Sequence, residues 1–329
     1  MNHQHSLTRT TSSVIDLDPY ELPRDKLKLR LTDPNKIPLV IVGCGSYSPV
    51  TYLHLRMFEM AKDYIEEHQQ FELLGAYFSP VSSGYKKGGL AYYKHRVRMC
   101  ELAAEKSGWI MVDPWEAMQE ETQRTAVVLE HFEDWLNGKH AGEQAGVLCS
   151  NGERRKIRIM LVAGGDLIQS FASYEVRNGE KIPVWLPSDL DIILGRFGCL
   201  IIERTGADVH DFLLSHQSLY DNRKQVYVVK QFIHNDISST KIRLFIKRGM
   251  SIKYLLPDQV IDYIERKGLY LMDEPSGRTD GPFDDEEVEV KNANLLLEEK
   301  IEGPATPEVV HMDSETMAVE NIEKIQKKG

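Results

Sequence analysis

Short apolar runs alternate along this chain with longer stretches in which apolar residues recur at helical spacing. The runs predict strands at 38–42, 71–78, 109–112, 157–163, 199–204 and 226–230. The longer stretches predict helices at 51–68, 91–107, 115–136, 189–196, 208–215, 240–248 and 258–267. A buried strand is a brief apolar run, whereas an amphipathic helix repeats its apolar residues every turn. Their alternation predicts an α/β fold of the Rossmann-like, doubly wound type, with a mostly parallel sheet and helices on both faces. Ligands bind such sheets beyond the carboxyl ends of the strands. Gly268 suits the left-handed residue that closes the last helix.

The pattern lapses in four places. Residues 1–36 are polar, with Pro19, Pro23 and Pro34, and predict a largely disordered extension that drapes over the start of the domain. Residues 137–155 carry Gly138, Gly142, Gly146 and Gly152 and predict a flexible loop. A second loop is expected at 173–183, leading into Val184-Trp185. Residues 271–329 predict a disordered acidic tail, with a short amphipathic helix available from Met317 to Lys328. The folded domain is therefore expected at 37–270.

Charge sharpens this division. Residues 271–329 hold 16 Asp and Glu against 6 Lys and Arg, so the tail carries the entire formal charge of −10. The domain has no net basic surface with which to displace counterions, so nucleic acid is not an expected partner. No apolar run approaches the roughly 20 residues of a membrane span. The four cysteines form no Cys-x-x-Cys pair and read as reduced, mostly buried thiols. With no secretory or transit pattern, the expected location is cytoplasm and/or nucleus. Oligomeric state is left open, a homo-oligomer included.

Two segments carry the chemistry. The first strand runs into Gly43-Cys44-Gly45-Ser46-Tyr47-Ser48-Pro49, and the next helix starts near Thr51 with His54 on its first turn. A helix start offers unpaired N–H groups and the positive end of a dipole, which together attract anions. An imidazole there can donate to a phosphate. The second segment is Asn235-Asp236-Ile237-Ser238-Ser239-Thr240-Lys241-Ile242-Arg243. Ser238 or Ser239 suits an N-cap, and Thr240, Lys241 and Arg243 add a hydroxyl and two cations to the following turn. Two such sites suit a ligand with several phosphates.

These segments resemble the motifs of the nicotinamide/nicotinic acid mononucleotide adenylyltransferase family. Tyr47-Ser48 replaces a phenylalanine-asparagine pair in the manner of its fungal branch. The resemblance continues through Ser79-Pro80-Val81, Tyr85-Lys86-Lys87, His95-Arg96-Val97, Val112-Asp113-Pro114-Trp115-Glu116, Gly164-Gly165-Asp166 and Tyr254-Leu255, and covers roughly residues 38–270. It implies the nucleotidyltransferase superfold. It also implies adenylyl transfer from ATP to nicotinamide or nicotinic acid mononucleotide, giving NAD or its deamido form and pyrophosphate. A phosphate nucleophile is already anionic, so positioning and charge neutralisation replace a general base. Mg²⁺ is expected on the substrate phosphates, without a metal cage built by the protein.

The resemblance also assigns roles. His54, Lys87 and Arg243 are the expected catalytic groups. ATP is expected against Gly45, Ser46, His54, Lys87, Asn235, Ser239, Thr240, Lys241, Ile242 and Arg243. The mononucleotide is expected against Gly164, Asp166 and Val184, the backbone N–H groups of Ser46 and Tyr47, the amide-binding Thr125, and Trp185 stacked on the pyridine. Trp115 reads as core and His95 as structural. A second tryptophan that animal relatives carry near Thr122 is missing. Two alternatives stand beside this reading: another nucleotidyltransferase of the superfold, or a non-catalytic chaperone or scaffold.

Overall fold

A computed structural model describes residues 20–85, 87–171, 173–177, 180–203 and 217–271. Its centre is a six-stranded, all-parallel sheet. The strands are β1 (Ile37–Gly45), β2 (Phe71–Pro80), β3 (Ile110–Val112), β6 (Arg158–Gly164), β9 (Cys199–Glu203) and β10 (Val226–Lys230), in spatial order β10-β9-β6-β1-β2-β3. Two small antiparallel hairpins lie outside it, β4 (Val147–Leu148) with β5 (Arg154–Arg155), and β7 (Tyr174–Arg177) with β8 (Glu180–Pro183). The main strands are almost continuously apolar because both faces of the sheet are covered.

The helices are α1 (Tyr52–His68), α2 (Tyr93–Ala104), α3 (Trp115–Met118), α4 (Thr125–Asn137), α5 (Gly165–Ser170), α6 (Pro187–Leu190), α7 (Gln217–Asp221), α8 (Ser239–Lys247) and α9 (Asp258–Lys267). One core lies under α1, α2 and α9 and contains Leu39, Ile41, Phe58, Phe78, Met99 and Ile264. The other lies under α4 and a π-helical segment, Asp191–Phe197, that continues α6, and contains Val40, Val42, Tyr77, Leu129, Phe132 and Ile193. Alternate residues of β1 feed opposite cores, as the two-residue period of a strand requires. Chain order reverses between β1 and β6, which puts the topological switch point at the ends of those two strands. Gly268 adopts φ 61° at the end of α9, as expected.

Four expectations need correction. Residues 20–36 are not a disordered arm. Leu22, Leu27 and Leu31 are buried in the second core, and Tyr20 Oη–H donates to Asp113 Oδ1 at 2.7 Å. Buried Glu72 anchors the rest of this strap, accepting from Lys28 Nζ, the Thr32 N–H and hydroxyl, and the Asp33 N–H. Three widely spaced leucines make no periodic signal. Residues 1–19 lie outside the described residues.

The single helix expected at 115–136 is two, α3 and α4, because the chain turns extended at Gln119 (ψ 142°). The insertion at 137–155 is ordered: a 3-10 turn (Lys139–Gln144) precedes β4–β5, and Ala141, Val147 and Cys149 are buried. Asn137 holds its far end by exchanging two hydrogen bonds with the backbone of Ile157. The loop expected at 173–183 contains the β7–β8 hairpin. Of the remaining expectations, the helix at 208–215, Lys86 and the tail beyond Leu271 lie outside the described residues.

Candidate active site

The turn after β1 is shaped by Tyr47. Its ring folds back over the strand end, where Oη–H donates to the Gly43 carbonyl at 2.8 Å and the ring edge meets Phe78 and His54. A Cβ at Gly43 would come within 2.9 Å of Tyr47 Oη and of Phe58, and one at Gly45 within 3.0 Å of the Tyr47 ring. Both glycines are therefore needed to seat this tyrosine. Tyr47 has φ 43°, a left-handed conformation that directs its side chain into the core. Its side chain is thereby committed to the core.

His54 occupies the third position of α1 and accepts the N–H of Thr51, the N-cap residue, on Nδ1 at 2.9 Å. A backbone N–H can only donate, so Nδ1 bears the lone pair. The neutral ring then carries its proton on Nε2 as a hydrogen-bond donor. This is a capping box with histidine in the place usual for glutamate.

The second motif meets the first. Ser238 caps α8 by accepting the Lys241 N–H at 3.3 Å. Ser239 Oγ–H donates to the Pro49 carbonyl at 2.8 Å, and Arg243 Nη1 to the Ser48 carbonyl at 2.8 Å. Arg243 also reaches Thr240 Oγ1 at 3.4 Å. From the loop after β2, Lys87 Nζ lies 3.4 Å from Ser46 Oγ. Burial lowers the pKa of Lys87, and the nearby Arg243 lowers it further. Burial likewise lowers that of Arg243. Gly89 has φ 73°, and a Cβ there would stand 3.0 Å from Arg243 Nε, so the lysine loop closes tightly over the arginine. His54, Lys87, Arg243, Ser46, Ser239 and Thr240 thus gather around the β1–α1 turn.

Three ATP-side residues also serve the fold. Ile242 is buried in the first core, so its side chain positions α8. Lys241 Nζ donates to the Asp236 carbonyl at 3.0 Å, within its own loop. Asn235 Oδ1 accepts the Ile237 N–H at 3.0 Å and so shapes the approach to α8.

On the other side of the switch point, Gly164 ends β6 and Asp166 lies exposed in the first turn of α5. A Cβ on Gly164 would meet nothing closer than Met57 at 4.0 Å, so packing does not demand glycine there. Trp185 is half-buried, its Nε1–H donating to Ser170 Oγ at 3.1 Å and its ring against the edge of Phe171. Val184 is exposed, and its N–H pairs with the Ser173 carbonyl. Thr125 is the first residue of α4, where the sequence pattern expected mid-helix. Trp115 stacks on His131 at 3.9 Å against the second core, and His95 bonds to Tyr263, both structural as expected.

Sequence reasoning missed the supports. Arg96 is fully buried and donates to three carbonyls, Ala91, Ser46 and Val81, clamping the β1 turn to the β2 exit. Buried Ser48 accepts the Ala91 N–H and bonds to Tyr270 Oη at 2.9 Å, tying the end of the domain to the site. Glu116 accepts the Ser79 hydroxyl at 2.5 Å, and burial pushes its carboxyl up to about 8. Burial thus disfavours a negative charge beside the turn. All three stand inside motif blocks, but nothing local to those blocks says which distant carbonyl or hydroxyl each would meet. Among the described residues no group of three His, Cys, Asp or Glu side chains could hold a metal ion, and no helix is long and apolar enough to cross a membrane.

Beside this parallel sheet with its two polar or basic helix starts stands a family match: residues 42–245 match the cytidylyltransferase-like family. The chain is 53% identical over 81% of its length to "Nicotinamide/nicotinic acid mononucleotide adenylyltransferase 2" of Saccharomyces cerevisiae. It is 55% identical over 78% of its length to that organism's "Nicotinamide/nicotinic acid mononucleotide adenylyltransferase 1". It spans 64% and 61% of the lengths of these two proteins. To the Arabidopsis thaliana protein of the same family it is 38% identical, over 76% of its own length and 97% of the relative's. The chain belongs to the nicotinamide/nicotinic acid mononucleotide adenylyltransferase family.

Proposed function

We propose that this protein joins ATP to nicotinamide or nicotinic acid mononucleotide, releasing pyrophosphate and forming NAD or its deamido form. The observation that carries this reading is the meeting of two anion-receiving helix starts, α1 with His54 and α8 with Arg243, at one turn. A phosphate oxygen of the mononucleotide attacks the α-phosphorus of ATP. The new P–O bond forms as the bond to the bridging oxygen breaks, and pyrophosphate takes that electron pair. No proton need be removed from the nucleophile. The protein's share is to align two polyanions and to stabilise the charge of the transition state.

In this reading the Nε2–H of His54 donates to the α-phosphate. Arg243, Thr240 and Lys87 hold the β- and γ-phosphates. The mononucleotide lies across Gly164 and Asp166, with its pyridine between Trp185 and Thr125. The open space above Gly164 supports a close backbone approach there. Mg²⁺ would arrive on the triphosphate and neutralise part of its charge. Incubating the purified protein with ATP, Mg²⁺ and each mononucleotide should yield the dinucleotide and pyrophosphate in equal amounts. Failure to form either dinucleotide would overturn the proposal.

A further inference from the structure

We propose that the ion pair between Arg124 and Asp189 sets the choice between nicotinamide and nicotinic acid mononucleotide. This inference rests on the function proposed above. Arg124 is the N-cap residue of α4, immediately before Thr125, and Asp189 lies in α6, four positions beyond Trp185. Arg124 Nη1 and Asp189 Oδ1 are 2.6 Å apart. One contact thus bridges the two segments that carry Thr125 and Trp185, between which the proposed reading puts the pyridine. Asp189 is buried, its side chain 7% exposed, whereas that of Arg124 is 55% exposed.

The two mononucleotides differ only in the pyridine substituent, a neutral amide in one and a carboxylate in the other. An unbalanced arginine at the pocket wall would favour the carboxylate. An arginine neutralised by a buried aspartate leaves the wall near zero charge and admits both. The start of α4 has no side-chain cap and no acidic residue in its first turn, so α4 itself does not offset Arg124. Glu120 and Glu121, earlier in the same loop, are exposed or nearly so, and solvent and salt screen them.

The test is the ratio of kcat/KM for nicotinic acid mononucleotide to that for nicotinamide mononucleotide. Asp189→Asn should raise this ratio about tenfold by leaving Arg124 unbalanced, and Arg124→Gln should lower it by roughly as much. The neutral double variant should return the ratio close to that of the wild type. Added salt should shrink both single effects. A purely structural clasp would move kcat/KM for both substrates together and leave the ratio alone. Shifts of the same sign in both single variants, or none while the wild type uses both substrates, would overturn the role of the pair alone. A wild-type protein that makes neither dinucleotide would instead overturn the proposed function, and this inference with it.

Discussion

The starts of α1 and α8 converge on one turn yet attract anions by different means. The α1 start carries no Lys or Arg in its first turn. It relies on a glycine turn, the helix dipole and one imidazole whose tautomer its own N-cap residue dictates. The α8 start uses a serine cap followed by a hydroxyl and two long cations, one of which, Arg243, is braced against the Ser48 carbonyl. The first arrangement is rigid and aims one hydrogen bond. The second supplies charge over a wider volume. A donor aimed in one direction suits charge that appears only in the transition state, and cations spread around the turn suit a bound triphosphate.

Removing each group should separate the two. His54→Ala should lower kcat by about 10²- to 10³-fold, on the order of 3–4 kcal/mol, with little change in KM for ATP. Single-turnover kinetics would show it, and a near-normal chemical step would erase the contrast. Arg243→Met should act mainly on ATP, raising its KM by roughly 30-fold or about 2 kcal/mol, in a way that added salt partly masks. Titration of each substrate alone would show whether the loss is confined to ATP.

The link between the helix starts is electrostatic as well as steric. Burial and then Arg243 lower the pKa of Lys87, so in the free enzyme it loses its proton at a lower pH than an ordinary lysine. The alkaline limb of kcat/KM for ATP should therefore fall early, and in Arg243→Met it should move to higher pH. A limb that stays in place would show that the two cations do not communicate.

The smallest effect on catalysis should come from Glu72→Gln, since the strap touches neither helix start. Burial alone would raise the Glu72 pKa, but Lys28, the Asp33 and Thr32 N–H groups and the Thr32 hydroxyl bring it from 4.5 down to about 2. A depressed carboxylate stabilises the fold above its unfolded pKa, and that contribution is lost as pH falls through the folded value. The wild type should thus lose this stabilisation between about pH 4.5 and 2. Glu72→Gln should unfold about 2–3 kcal/mol more easily at pH 7 and show a flatter acid profile, with kcat unchanged. Thermal melts across pH would record both.

Sequence by itself determined the sheet, because strands covered on both faces must be apolar along their length, and all six fall where the apolar runs lie. It also determined the two helix starts, since Gly-Ser and Ser-Ser-Thr-Lys segments act through backbone groups only a few residues away. Tertiary structure alone decided the rest. Tyr47 fills the space above two glycines, so those glycines make room for its ring. Ile242 and Lys241 lie inside the second motif, yet one faces the core and the other its own loop, and only the packing of α8 separates them from Arg243. The strap at 20–36, the buried Arg96 clamp, the Ser48–Tyr270 bond and the Arg124–Asp189 pair each join residues distant along the chain. A local pattern reports the angle at which a side chain leaves its own helix or strand. It carries no information about which distant group will meet that side chain once the layers close.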